Sequence, residues 1–110
     1  MLIQITDANN VTQTAVINTQ EAVYDRSGTL SSTNVSQLAV SANSNRSGLF
    51  IQNVGSHNIW FNELGTAAQS AGSVLLQPGQ SVSTNSGYPL STGAINVIGT
   101  SGDSFTIREW

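Results

Sequence analysis

The sequence predicts an all-β fold, an antiparallel β-sandwich or jelly-roll-like barrel of short strands. Three observations lead there. Apolar residues come in short alternating runs rich in β-branched and aromatic side chains. Gly, Asn, Ser and Pro clusters fence these runs at roughly ten-residue intervals. No segment long enough for a helix keeps a helical period. The 110 residues are the usual size of one domain, enough to bury a core without disulfides.

Asn43 to Asn62 is the most apolar and aromatic stretch. Its runs Leu49–Ile51 and Ile59–Phe61 are too short for helices and read as two strands joined by the turn Asn53–Asn58. Upstream, Leu2–Thr6, the turn Asp7-Ala8-Asn9-Asn10 and a return strand Val11–Ile17 suggest a hairpin, with Ile3, Ile5, Val11, Ala15 and Ile17 at odd positions. Glu21–Tyr24 reads as a short strand, Asp25–Thr29 as a turn, and Leu30–Val35 as a polar segment with little to bury. Residues 1–36 are thus either a weak outer sheet or an extended arm ordered by a partner, and 37–110 form the sandwich core of what is one domain overall. Within that core, Gln37–Ala42 reads as a strand with Leu38 and Val40 on one face. Ser73–Leu76 and Ser81–Ser83 flank Gln77-Pro78-Gly79-Gln80, whose Pro and Gly are placed for a type II turn. Ala94–Ile98 and Ser104–Arg108 complete the strands. Glu63–Ala71 has room for one or two helical turns at most, because Gly65 interrupts it.

Composition narrows the function. Ser, Thr, Asn and Gln supply 46 of the 110 residues, whereas only 8% are charged, so the surface is one of hydroxyls and amides. There is no lysine, and Arg26, Arg46 and Arg108 are the only basic residues besides one His, too few to neutralise phosphates along a nucleic acid. No Cys is present for disulfide or thiolate chemistry. The apolar runs are far shorter than a membrane span, and Met1–Ile5 lacks the flanks of a signal peptide, so we expect no membrane partner and folding in the cytoplasm where the chain is made. Low charge favours association, which suits an assembly.

Nothing in the pattern marks an enzyme or a cofactor. His57, the single histidine, falls in a turn with no ligand set around it. The acids Asp7, Glu21, Asp25, Glu63, Asp103 and Glu109 form no motif, and no Gly-x-Ser-x-Gly elbow is present.

The stretch from Gly28 to Glu109 carries Asn45-Arg46 before an apolar strand, Ile51-Gln52-Asn53, Ile59-Trp60-Phe61, Gly65-Thr66-Ala67-Ala68, Gly72-Ser73, Leu76-Gln77-Pro78-Gly79 and Val97-Ile98-Gly99. In these motifs it resembles small virion proteins of tailed bacteriophages, the β-sandwich modules that decorate capsids or form head fibres and tail parts. The resemblance implies a structural protein of the virion. As a capsid decoration or cement protein it would bind the outer capsid surface in many copies, as a dimer or trimer, with the major capsid protein and copies of itself as partners. As a tail or head-fibre module it would instead bind host surface carbohydrate. Neither role needs a metal, a cofactor, nucleic acid or a membrane.

The candidate interface residues are Phe50, Trp60, Tyr88, Trp110, Arg46 and Arg108. With Leu49 and Ile51 inward, alternation sends Phe50 outward; with Ile59 and Phe61 inward, it sends Trp60 outward. If the two strands pair, both rings share one outer face, unless the N-terminal half covers it. Phe105 and Ile107 inward leave Arg108 and Trp110 outward. Arg46 either meets a partner's carboxylate or acts locally, satisfying turn carbonyls or pairing an acid such as Glu63 or Glu109. Trp110 either packs on a partner or closes the end of the barrel, and Tyr88 belongs to a loop where it would stack on a sugar.

Overall fold

The structure is a computed structural model that describes residues 2–6, 12–16 and 22–110. It is all-β: two antiparallel sheets face each other as a sandwich, and a separate two-stranded sheet precedes them. The latter pairs β1 (Leu2–Thr6) with β2 (Thr12–Val16), Leu2 opposite Val16 and Thr6 opposite Thr12. The expected turn at 7–10 lies outside the described residues.

The remaining strands are β3 (Tyr24–Asp25), β4 (Gly28–Thr29), β5 (Gln37–Val40), β6 (Leu49–Asn53), β7 (Ile59–Asn62), β8 (Val74–Leu76), β9 (Ser81–Ser83), β10 (Ile95–Ile98) and β11 (Ser104–Glu109). One sheet has the order β5-β10-β7-β8; the other has β3-β11-β6-β9, with β4 also paired to β11. Among the described residues the single helical element is a 3-10 turn, Thr84–Ser86, and Glu63–Ala71 forms a loop.

The core follows the alternation. Leu49 and Ile51, Ile59 and Phe61, Val97, and Phe105 and Ile107 are buried between the sheets with Val40, Leu76, Ile95 and Leu30. The strands between the two sheets' edges are joined mainly by crossings. The chain passes from one sheet to the other at β4–β5, β5–β6, β6–β7, β8–β9, β9–β10 and β10–β11. This corrects the expected pairing of Leu49–Ile51 with Ile59–Phe61. The strands face each other across the core because both bury the same parity of residue against it, and β6 takes β11 and β9 as its ladder neighbours.

Three other local expectations change for identifiable reasons. Leu38 and Val40 do not share a face: Ile95 pairs with Val40 and Asn96 with Leu38, so Ala39 is an extra residue, a bulge that turns Leu38 out (61% exposed) while Val40 stays in. Asp25–Thr29 is a kinked sheet edge: the Asp25 carboxylate accepts the Ser27 N–H at 3.0 Å, and the chain on both sides pairs with β11. Leu30 is core, 2% exposed, because its backbone bonds to Asp103 and Gly102 pull it under the β10–β11 crossing, where its side chain meets the bare Cα of Gly99. The type II turn forms as read, with Gly79 at φ 84 and the Gln80 N–H donating to the Gln77 carbonyl at 2.9 Å.

Crossings leave backbone groups without ladder partners, and a buried orphan is costly. At one end Asn53 resolves this. It is fully buried; its amide donates to the carbonyls of His57 (2.7 Å) and Leu76 (2.9 Å), and its side-chain oxygen accepts the Gly55 N–H at 2.9 Å. One side chain thereby ties the β6–β7 crossing to the start of the β8–β9 crossing. Asn53→Leu, which strands two carbonyls and one N–H, is expected to cost about 2–4 kcal/mol in urea unfolding. Leu30→Ala is expected to cost about 2–4 kcal/mol by the same measurement, with no cost if the 28–30 segment lay outside the cooperative core.

Candidate interaction surfaces

Three of the seven described charged residues, Arg46, Asp103 and Glu109, are buried in the fold. Arg46 precedes β6 and its side chain is 0% exposed. Its Nε donates to Glu109 at 2.9 Å, and its terminal nitrogens donate to the carbonyls of Ser91, Gly93 and Ser41 at 2.8, 2.9 and 3.1 Å. The guanidinium therefore binds the β5–β6 crossing, the β9–β10 crossing and the end of β11 together. Glu109 also accepts from Arg26 Nε (2.8 Å) and the Asn43 amide (3.1 Å). Burial alone would raise the Glu109 carboxyl, but the hydrogen bonds from Arg26, Asn43 and Arg46 and the charge of Arg46 outweigh it and hold the group below its ordinary value.

The opposite end holds Asp103, His57 and Ser56. Asp103 accepts the His57 N–H at 3.0 Å and His57 Nδ1 at 2.9 Å, and Gly55 leaves space that a Cβ would close to 2.7 Å from the Asp103 Cβ. Burial opposes ionisation of Asp103, yet these bonds and the Ser56 N–H keep its carboxyl below the usual range. The trio has the residue types of a hydrolase triad without its geometry. Ser56 Oγ lies 3.3 Å from Nδ1, the nitrogen that Asp103 already holds, whereas a nucleophile has to face the other ring nitrogen. Its work is to anchor the β6–β7 crossing. Among the described residues no group of three or more His, Cys, Asp or Glu side chains could hold a metal ion.

The two outer faces differ. On the β5-β10-β7-β8 sheet the register aligns Ile98, Trp60 and Leu75 in one row. Trp60 is half-buried and Ile98 is 7% exposed although it points away from the core. The 63–72 loop lies against this face: the Asn62 and Asn96 amides donate to the Thr66 and Gly65 carbonyls at 3.0 and 2.8 Å, and the Ala67 N–H donates to Ser36 Oγ at 3.0 Å. Leu38 and Leu64 stay in water, 61% and 85% exposed.

On the other sheet Asp25, Arg108, Phe50 and Ser83 form a row by register, and Thr106, Gln52 and Ser81 form the next. Phe50 is half-buried, and the Arg108 side chain is 53% exposed, 4.0 Å from Asp25. Phe50 and Trp60 thus occupy opposite faces, since their strands belong to different sheets. Trp110 lies flat on Gly48, where a Cβ would come within 2.0 Å of its ring, and Gly48 exchanges backbone hydrogen bonds with it at 2.9 and 3.2 Å. Tyr88 packs edge-on to Phe61, centroids 5.9 Å apart, and its hydroxyl donates to Glu63 at 2.8 Å. Burial first, then the Glu63 bond, pushes its phenol well above the ordinary value.

Of the six residues singled out from sequence, Phe50 faces Arg108 across the ladder and lines one groove with Tyr88, Ser81, Ser83 and Pro89, whereas Trp60 lies on the other sheet. Asn53 was missed, Glu109 was named only as one of two acids that could pair with Arg46, and a signal for both existed. They share the inward parity of Leu49 and Ile51 and of Phe105 and Ile107, and a polar residue at an inward position has to be satisfied there.

Because the folded value of Glu109 is depressed, its ionised form stabilises the fold above the ordinary 4.5, and that contribution is lost as pH falls through the lower folded value. Urea midpoints measured from about pH 6 to about pH 2 should fall over the acid part of this range. Arg46→Met should lose about 3–5 kcal/mol at neutral pH and begin its acid decline at higher pH, because Glu109 then keeps less of its positive surroundings.

No protein-family model, curated protein or solved structure matches this chain, so what these surfaces are for has to be read from their geometry.

Proposed function

We propose that this chain is a virion structural protein of a tailed phage, a capsid decoration (cement) protein that binds the outer capsid surface in many copies and braces joints between coat subunits. The resemblance of residues 28–109 to such modules favours this reading. The observation that carries it is the exposure of Leu38 and Leu64 (61% and 85%) on a surface rich in hydroxyls and amides, while Arg46, Glu109 and Asp103 are consumed internally. Leu38 neighbours Asn96 in the ladder and Leu64 stands at the start of the loop that takes the Asn62 and Asn96 amides, so two solvent-exposed apolar side chains are available to a coat subunit.

Burying one leucine contributes about 1.5–3 kcal/mol, a modest contact that becomes firm when a dimer or trimer engages several sites on the shell at once. With few charges at the surface, attachment would resist salt that screens ion pairs.

Copy number on intact particles is the direct test. Quantified against the major coat protein by mass spectrometry, the chain is expected at about one per coat subunit or a simple fraction of it. A few chains per particle would move it to a tail or fibre, and absence from the particle fraction would reject a virion role. The double variant Leu38→Ser/Leu64→Ser is expected to lower shell occupancy at least tenfold (about 1.4 kcal/mol) while its thermal midpoint stays within a few degrees of the parent.

A further inference from the structure

We propose that the groove beside β9, on the sheet opposite Leu38, is a binding site for a neutral sugar residue. It has a volume of about 640 Å³, within the range of small-molecule sites, and lies between the outer face of β6 and β9 and the loop that follows the 3-10 turn. Phe50 is its one aromatic ring on the sheet face; Ser81, Ser83 and Ser86 supply hydroxyls, and Tyr88 and Pro89 make the far wall. None of its lining residues is charged.

The lining chooses among ligand classes. An anion or a cation finds no opposite charge there. An extended peptide would need to add to the β9 edge, but that edge is occupied at Ser83, whose carbonyl accepts the Tyr88 N–H at 3.2 Å. A pyranose has what remains to be matched, an apolar face for the Phe50 ring and a rim of hydroxyls for the serines. Ser83 Oγ accepts the Asn85 N–H at 3.2 Å, which leaves its own proton to donate outward.

The wall is fixed before any ligand arrives. Tyr88 is held by Glu63 through its hydroxyl and by Phe61 through its ring edge, so it contributes shape and has no proton left to donate to the ligand. Gly87, at φ 97, makes the turn that brings this wall back beside the strand. Such preorganisation reduces the ordering cost of binding. This inference does not depend on the decoration role, since the groove and the exposed leucines lie on opposite sheets.

The test is a proton–nitrogen NMR titration of the full chain with the methyl glycosides of glucose, galactose, mannose, rhamnose and N-acetylglucosamine, and with neutral oligosaccharides containing them. At least one is expected to shift the amides of 50–52 and 81–89 with millimolar affinity. Phe50→Ala should weaken that binding about tenfold or more, Ser83→Ala by about threefold, and Phe50→Trp should keep it. Trp60→Ser, on the other sheet, should leave it unchanged. The proposal fails if none of these sugars shifts the groove amides, or if the shifts persist in a Phe50→Ala protein whose spectrum is otherwise that of the folded parent.

Discussion

A guanidinium sealed inside a protein has to find an acceptor for each of its nitrogens, and the chain has arranged its loops to provide them for Arg46. Three backbone carbonyls from two different sheet crossings and one carboxylate converge on it. The carbonyls belong to segments that leave the ladders and would otherwise lack donors. The same contacts that make the charge tolerable therefore define where the crossings lie. Removing the guanidinium frees the carbonyls and weakens the hold on Glu109 together, which is why one residue before β6 governs an entire end of the sandwich.

The other end meets the same requirement with less charge. Asn53 spans two crossings with an amide, and Asp103 holds the His57 turn through backbone and imidazole donors. Between these ends the hydrophobic layer is a regular product of alternation and could be filled by many apolar combinations of similar volume. The specificity of the fold is concentrated at the ends, where a few polar side chains decide which crossing meets which. The outer faces carry little of this duty, so Phe50, the β9 serines, Leu38 and Leu64 are available for contact with other molecules.

The strands and their inward residues were legible because alternation is a local property. Leu49, Ile51, Ile59, Phe61, Phe105 and Ile107 could be read directly, and so could the Pro78-Gly79 turn. Strand partnership was not legible. A five-residue connection such as Val54–Asn58 serves a hairpin or a crossing equally well, and the choice depends on Asn53 reaching Leu76 and Asp103 reaching His57, contacts distant in sequence. Leu30 was hidden for a similar reason: its neighbours are polar, and its burial comes from Asp103 and Gly99. Of the candidate surface, the outward parity of Phe50 was readable, but its meeting with Tyr88 depends on the fold of the 84–89 loop.

The extra residue at Ala39 does more than redirect Leu38. Strand β5 is an open border of its sheet, and a straight border invites the same strand of another molecule to continue the ladder. The bulge breaks the hydrogen-bond repeat in the middle of a strand only four residues long, so no uninterrupted template remains for such growth. A chain with so little surface charge cannot rely on repulsion to keep its copies apart. Here the backbone itself interrupts fibre-like stacking, and side-chain contacts are left to determine how neighbouring molecules meet.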